Sequence, residues 1–171
     1  MIFTALRDRD FFHRVASDSH YAQLLEETRA LWKSTRCDPI TALTLEDRML
    51  FYRTGDRRKF EEPYFKRRNS LSAAALLLLV TEEEAYLDYV QRMLWAICDE
   101  YSWAVPAHTK GDPETDPFEI DLFNAETAFA LAEILFVLEG ELEPCVQRRV
   151  RAEIKRRIFR SEERRVGKEC L

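Results

Sequence analysis

Trp103 and His108 stand in the run Glu100-Tyr101-Ser102-Trp103-Ala104-Val105-Pro106-Ala107-His108, at the start of a proline-punctuated stretch. An indole face can cover the apolar side of a pyranose, and an imidazole can donate to a carboxylate or transfer a proton near neutral pH. Each also has a plainer role open to it: Trp103 as a core aromatic closing the preceding helix, His108 as a loop-fixing hydrogen-bond partner. Asp121 and Glu126 offer two carboxylates, which glycoside hydrolysis uses in pairs. Their spacing misses the three or four residues that place side chains on one helix face, so a helix cap and face charge are the expectation. Arg67-Arg68, and Arg148-Arg149-Arg151 with Lys155-Arg156-Arg157, could attract an anionic polymer; solvated faces and C-terminal helix charge account for them. His13 and His20 show no evident partners and are expected at the surface, whereas Trp32 and Trp95 fall on helical stripes and are expected in the core. Cys37, Cys98, Cys145 and Cys170 are too widely spaced for a CxxC or Cys/His zinc site and too few for a disulfide scaffold. Free, mostly buried thiols are expected, with no metal ligands and no cofactor.

The elements that must hold these residues read as helices. No stretch alternates with period two for long, while several repeat apolar residues at intervals of three and four, so the fold class is all-α. Thr81 and Glu84 form a T-x-x-E capping box before Leu87, Val90, Leu94, Ile97 and Tyr101, one apolar stripe on a single helix. Further helices are expected over residues 18–34, from after Thr44 to before Gly55, over 58–79, over 123–138 and over 144–159. Gly55 suits a C-terminal cap, and Pro63 and Pro144 suit first turns. The segments ending in Ala73-Ala74-Ala75-Leu76-Leu77-Leu78-Leu79-Val80 and spanning Phe123–Leu138 are apolar on nearly every face, and each is followed by an amphipathic helix. That alternation of inner and outer helices describes antiparallel hairpins in a stack or ring. The connection from Ser102 to Asp121, with Pro106, Pro113 and Pro117, is long enough to carry function and delivers Asp121 to cap the next helix.

The 171 residues, 46% hydrophobic and 33% charged with a formal net charge of −5, describe a globular chain able to bury a core. The acidic balance argues against nucleic acid, and the longest apolar run, Ala73–Val80, is far short of the roughly 20 residues that span a bilayer. The charged N-terminus lacks the apolar region of a secretory signal, so the chain as written is expected in the cytoplasm, with export of a parent requiring an upstream start.

The ending Arg160-Ser161-Glu162-Glu163-Arg164-Arg165-Val166-Gly167-Lys168-Glu169-Cys170 resembles the translation of a sequencing adapter. Residues 160–171 are therefore read as a non-native tail, residues 1–159 as one partial domain, and the natural protein is expected to continue beyond Phe159.

The W-x-x-P-A-H segment of Trp103–His108, the D-L-F-x-A-E-T-A segment of Asp121–Ala128, Arg151–Ile158, and Gly55-Asp56-Arg57 leading to Tyr64-Phe65-Lys66-Arg67-Arg68 occur in an order that resembles the N-terminal domain of the heparinase II/III-like polysaccharide lyase family, over roughly residues 40–159. The resemblance implies part of an incomplete α/α toroid, normally followed by a β-sandwich, in an enzyme that cleaves uronic-acid polysaccharides by β-elimination. The partner it implies is an acidic polysaccharide or oligosaccharide, with Trp103 and His108 as substrate-binding candidates. Removing a weakly acidic C5 proton needs a base and donors that neutralise the neighbouring carboxylate. In the family an Asn-His pair and a Tyr from later toroid helices, with a His from the β domain, meet those needs. This chain contains no Asn-His dipeptide. No catalytic residue is assigned, none of Tyr64, Tyr86, Tyr89 or Tyr101 is given that role, and the chain itself is expected to be inactive. The alternative is a non-catalytic helical scaffold that binds a protein partner.

Overall fold

The computed structural model describes residues 4–160, and over them the chain is all-helical. The helices are α1 (Arg9–Ser17), α2 (Ala22–Thr35), α3 (Leu45–Thr54), α4 (Arg58–Thr81), α5 (Glu84–Cys98), α6 (Leu122–Val137) and α7 (Pro144–Ile154), the last continuing as a π-turn over Lys155–Phe159. All of the tail assigned to the adapter except Arg160 lies outside the described residues, as does Cys170.

Local chemistry sets most boundaries. Thr44 caps α3 by accepting from the Asp47 amide at 3.1 Å, and Gly55 ends it at φ 78°. Asp121 caps α6 through the Asn124 amide at 2.6 Å, and Pro144 opens α7. Thr81 departs from expectation: it is the last residue of α4, its hydroxyl donating to the Leu77 carbonyl at 2.9 Å, and Glu82 turns the chain in the left-handed region at φ 57°. The capping box therefore does not form, and α5 begins under Glu83 with no side-chain cap. Nor does the α5 stripe reach Tyr101, because the helix stops at Cys98. Helix α1, capped by Asp8, carries Phe12 and Val15 into the core and was not foreseen in the charged N-terminal run.

α4 lies at the centre, packed against α1, α2, α3, α5 and α6. That explains its apolar residues on every face: Leu71, Ala74, Leu77, Leu78 and Val80 are all buried, and enclosing each leucine contributes about 1.5–3 kcal/mol. α5 covers one side of it with Val90, Met93, Leu94 and Ile97, and α7 covers α5 and α6 in turn. α6 differs from the expected inner helix. Its Leu131, Ile134 and Leu135 face the core, but Leu122 and Phe129 are 71% and 65% exposed. Trp95 is also exposed rather than core, with the Arg149 guanidinium over its ring, while Trp32 is half-buried edge-on to Tyr86 and Tyr89. Among the described residues no helix is long and apolar enough to cross a membrane.

Candidate functional site

The long connection after α5 is held by three buried charges. Asp116, 2% exposed, gathers the amides of Lys110, Gly111 and Asp112 at 3.1–3.2 Å and pairs with Arg48 from α3 at 2.9 Å. The loop is thereby wound around one carboxylate. Gly111 fits this winding for two reasons: its φ is +79°, and a Cβ there would meet the Tyr52 ring at 3.4 Å. Glu100 takes Arg67 at 2.9 Å and Arg68 at 2.8 Å, both from α4. Arg157, also buried, donates from Nη2 and Nη1 to the carbonyls of Glu100 and Tyr101 while its Nε pairs with Glu153 at 2.8 Å. Each charge gives up hydration, and the several hydrogen bonds made by each group are what offset that cost.

Between these anchors the Tyr64 hydroxyl donates to the Trp103 carbonyl at 2.7 Å, and Arg68 Nε donates to the Thr127 hydroxyl at 2.9 Å. Burial pushes the Tyr64 phenol up to about 12, with Arg68 pulling the other way. The quoted sequence segments thus meet in one knot: Tyr64–Arg68, Glu100–Trp103, Asp121–Thr127 and Arg157.

Trp103 sits inside that knot and is wholly buried. Its Nε1 donates to the Ile97 carbonyl at 2.9 Å, and the Arg157 guanidinium lies 4.9 Å from its ring centroid. The stacking-platform expectation is corrected: no face of the indole is left for a sugar. His108 is at the surface, its side chain 38% exposed, with Nδ1 2.7 Å from Asp121 Oδ2 and its ring stacked on Phe123 at 5.4 Å. The loop-fixing bond and the solvent-facing ring coexist, because Asp121 divides its two oxygens between the α6 amide and the imidazole. Glu126 is exposed on α6.

Two further expectations change. His13 has a partner, Glu82 Oε1 at 3.2 Å. The basic cluster of α7 is only partly solvated, since Arg157 is buried and Arg149 bonds Asp99 at 2.7 Å. Cys37 and Cys98 are buried free thiols and Cys145 an exposed one. Among the described residues no three His, Cys, Asp or Glu side chains converge as a metal site.

A cavity of about 390 Å³ opens between α3, the start of α4 and the loop. Leu43, Met49, Phe60, Tyr101 and Pro113 wall it, and Arg48 lies against it. No protein-family model matches this chain, and no curated protein is significantly similar to it. Arg48, Glu100, Asp116 and Arg157 were missed as organising residues. Glu100 lay inside a quoted motif, and the length of the loop was itself a signal that something must pin it, but nothing local marks Arg48 as the partner.

Proposed function

We propose that the chain is an N-terminal portion of a polysaccharide lyase acting on uronic-acid polymers by β-elimination, its helices forming part of an incomplete α/α toroid, and that this portion shapes the substrate cleft without supplying the catalytic groups. The observation that carries this reading is the knot: the segments resembling the heparinase II/III-like family, separated by tens of residues, hydrogen-bond to one another through Tyr64, Arg68, Glu100, Trp103 and Thr127. Such mutual contact gives those segments a physical reason to occur together. In this reading they are framework, and the substrate contact falls to His108, whose Nδ1–H donates to Asp121, so that Nε2 accepts from a sugar hydroxyl when the ring is neutral and donates to a sugar carboxylate when the ring is protonated.

The test is a titration of the 171-residue chain with a uronic-acid tetrasaccharide, followed by the imidazole resonances of His108 and by formation of unsaturated uronide. A saturable His108 shift with no product is expected. Absence of the shift overturns the cleft assignment, and product formation overturns the assignment of the chain as non-catalytic. The second reading, a helical scaffold for a protein partner, draws on the open Leu122 and Phe129 of α6.

A further inference from the structure

The cavity beside α3 is used by neither reading, yet it has the composition of a small-molecule site. Its volume of about 390 Å³ suits a single-ring ligand. Leu45 and Tyr101, at its mouth, are 74% and 47% exposed, so an apolar entrance stands open to solvent.

Arg48 supplies the polar anchor. The residue is 6% exposed, and its Nη2 is committed to Asp116 at 2.9 Å and Thr109 at 3.0 Å. Its Nη1 is sealed from solvent and meets no acceptor among the described residues, which is costly for a guanidinium nitrogen. Its ion-pair partner is also shared: the two oxygens of Asp116 take three backbone amides and the Tyr52 hydroxyl besides Arg48, so Asp116 offers nothing further to Nη1.

We propose that this cavity binds a small monocarboxylate carried on an apolar, single-ring body, with one carboxylate oxygen accepting from Arg48 Nη1 and the ring against Met49 and Phe60. The Tyr101 ring, 4.9 Å from the guanidinium carbon, forms the outer wall, while Phe60 on the inner side is 4% exposed. In this proposal a ligand reaches the sealed Nη1 by turning aside the Tyr101 ring, which is 47% exposed and stands over the guanidinium. A phosphate dianion suits the site less, since Asp116 and Glu100 both line it and Arg48 is the one cation among the described residues of the lining. A sugar acid suits it less for another reason: its hydroxyls would lie against apolar walls without partners.

The experiment is an NMR titration of the full chain with phenylacetate, phenylacetamide and glucuronate, observing the Met49 methyl and the Tyr101 ring. Phenylacetate is expected to give saturable shifts at both, the amide to bind about tenfold or more weakly, and glucuronate to leave both unmoved. Met49→Trp, which fills the cavity without touching the ion pairs, is expected to abolish the response, and Arg48→Lys to remove the preference for acid over amide. Equal binding of acid and amide, or no saturable response to phenylacetate at millimolar concentration, overturns the proposal. So does preferential binding of glucuronate, which would assign the cavity to a sugar cleft. If Arg48→Lys fails to fold, the comparison of acid and amide on the unaltered chain still decides. The lyase reading stands or falls separately, on the His108 shift.

Discussion

Glu100 has a side chain only 1% exposed and balances two arginines from α4, so its removal strands buried charge on both. Glu100→Ala is expected to cost about 3–5 kcal/mol, read as a lower urea midpoint with an unchanged slope. A loss under about 1 kcal/mol would mean that solvent replaces the carboxylate. Tyr64 and Cys98 make a second prediction at this scale. Burial is the main cause in both, raising the phenol from 10 to about 12 and the thiol from 9 to about 12. Each folded value lies above the unfolded one, so the unfolded chain ionises first as pH rises. Stability is then intact below about pH 9 and falls progressively toward pH 12. Urea midpoints measured across that window should fall less steeply in Tyr64→Phe and Cys98→Ala, whatever each substitution costs at neutral pH. An unchanged slope in both variants would place the alkaline titration elsewhere.

At the scale of elements, capping chemistry decides where helices stop, and it was legible wherever it acts within one turn. Thr44, Gly55, Asp121 and Pro144 all perform as their residue types require. Gly55 has open space where a Cβ would sit, so Gly55→Ala pays only for backbone at φ 78°. About 1 kcal/mol of destabilisation is expected in thermal or urea unfolding, with no change in helix content. A neutral or stabilising result would mean that α3 ends in some other conformation. The Thr81 capping box failed for a reason that is not local. Val80 remains in the core contact of α4, so the helix runs one residue past it, and Thr81 donates backward to Leu77 and accepts from the Glu83 amide rather than from that of Glu84.

Across the whole molecule, α4 is enclosed and α6 is not. Leu122 and Phe129, with Ala125 and Ala132 also exposed, form an apolar stripe along α6 that no described residue covers, and stripes of this kind favour association. Leu122→Lys combined with Phe129→Lys is expected to leave the melting temperature nearly unchanged while abolishing concentration-dependent association in sedimentation. An unaltered chain that stays monomeric at the same concentrations would show that the stripe is satisfied.

The sequence by itself determined that the chain is helical, roughly where α2 to α7 lie, and that the second half of α4 is buried on nearly every face. Periodicity and caps act over three or four residues, and an apolar content as dense as that of Leu71–Val80 leaves little but Ser72 to water. Only the tertiary structure decided between the two roles open to Trp103 and tied the half-exposed His108 to Asp121. It alone brought Arg48 to Asp116, 68 residues away in the chain, and Tyr64 to the Trp103 carbonyl, 39 residues away. An indole, a guanidinium or a carboxylate carries the same letter whether it meets solvent or a partner. Which of these it meets depends on distant packing, and local spacing holds no record of that.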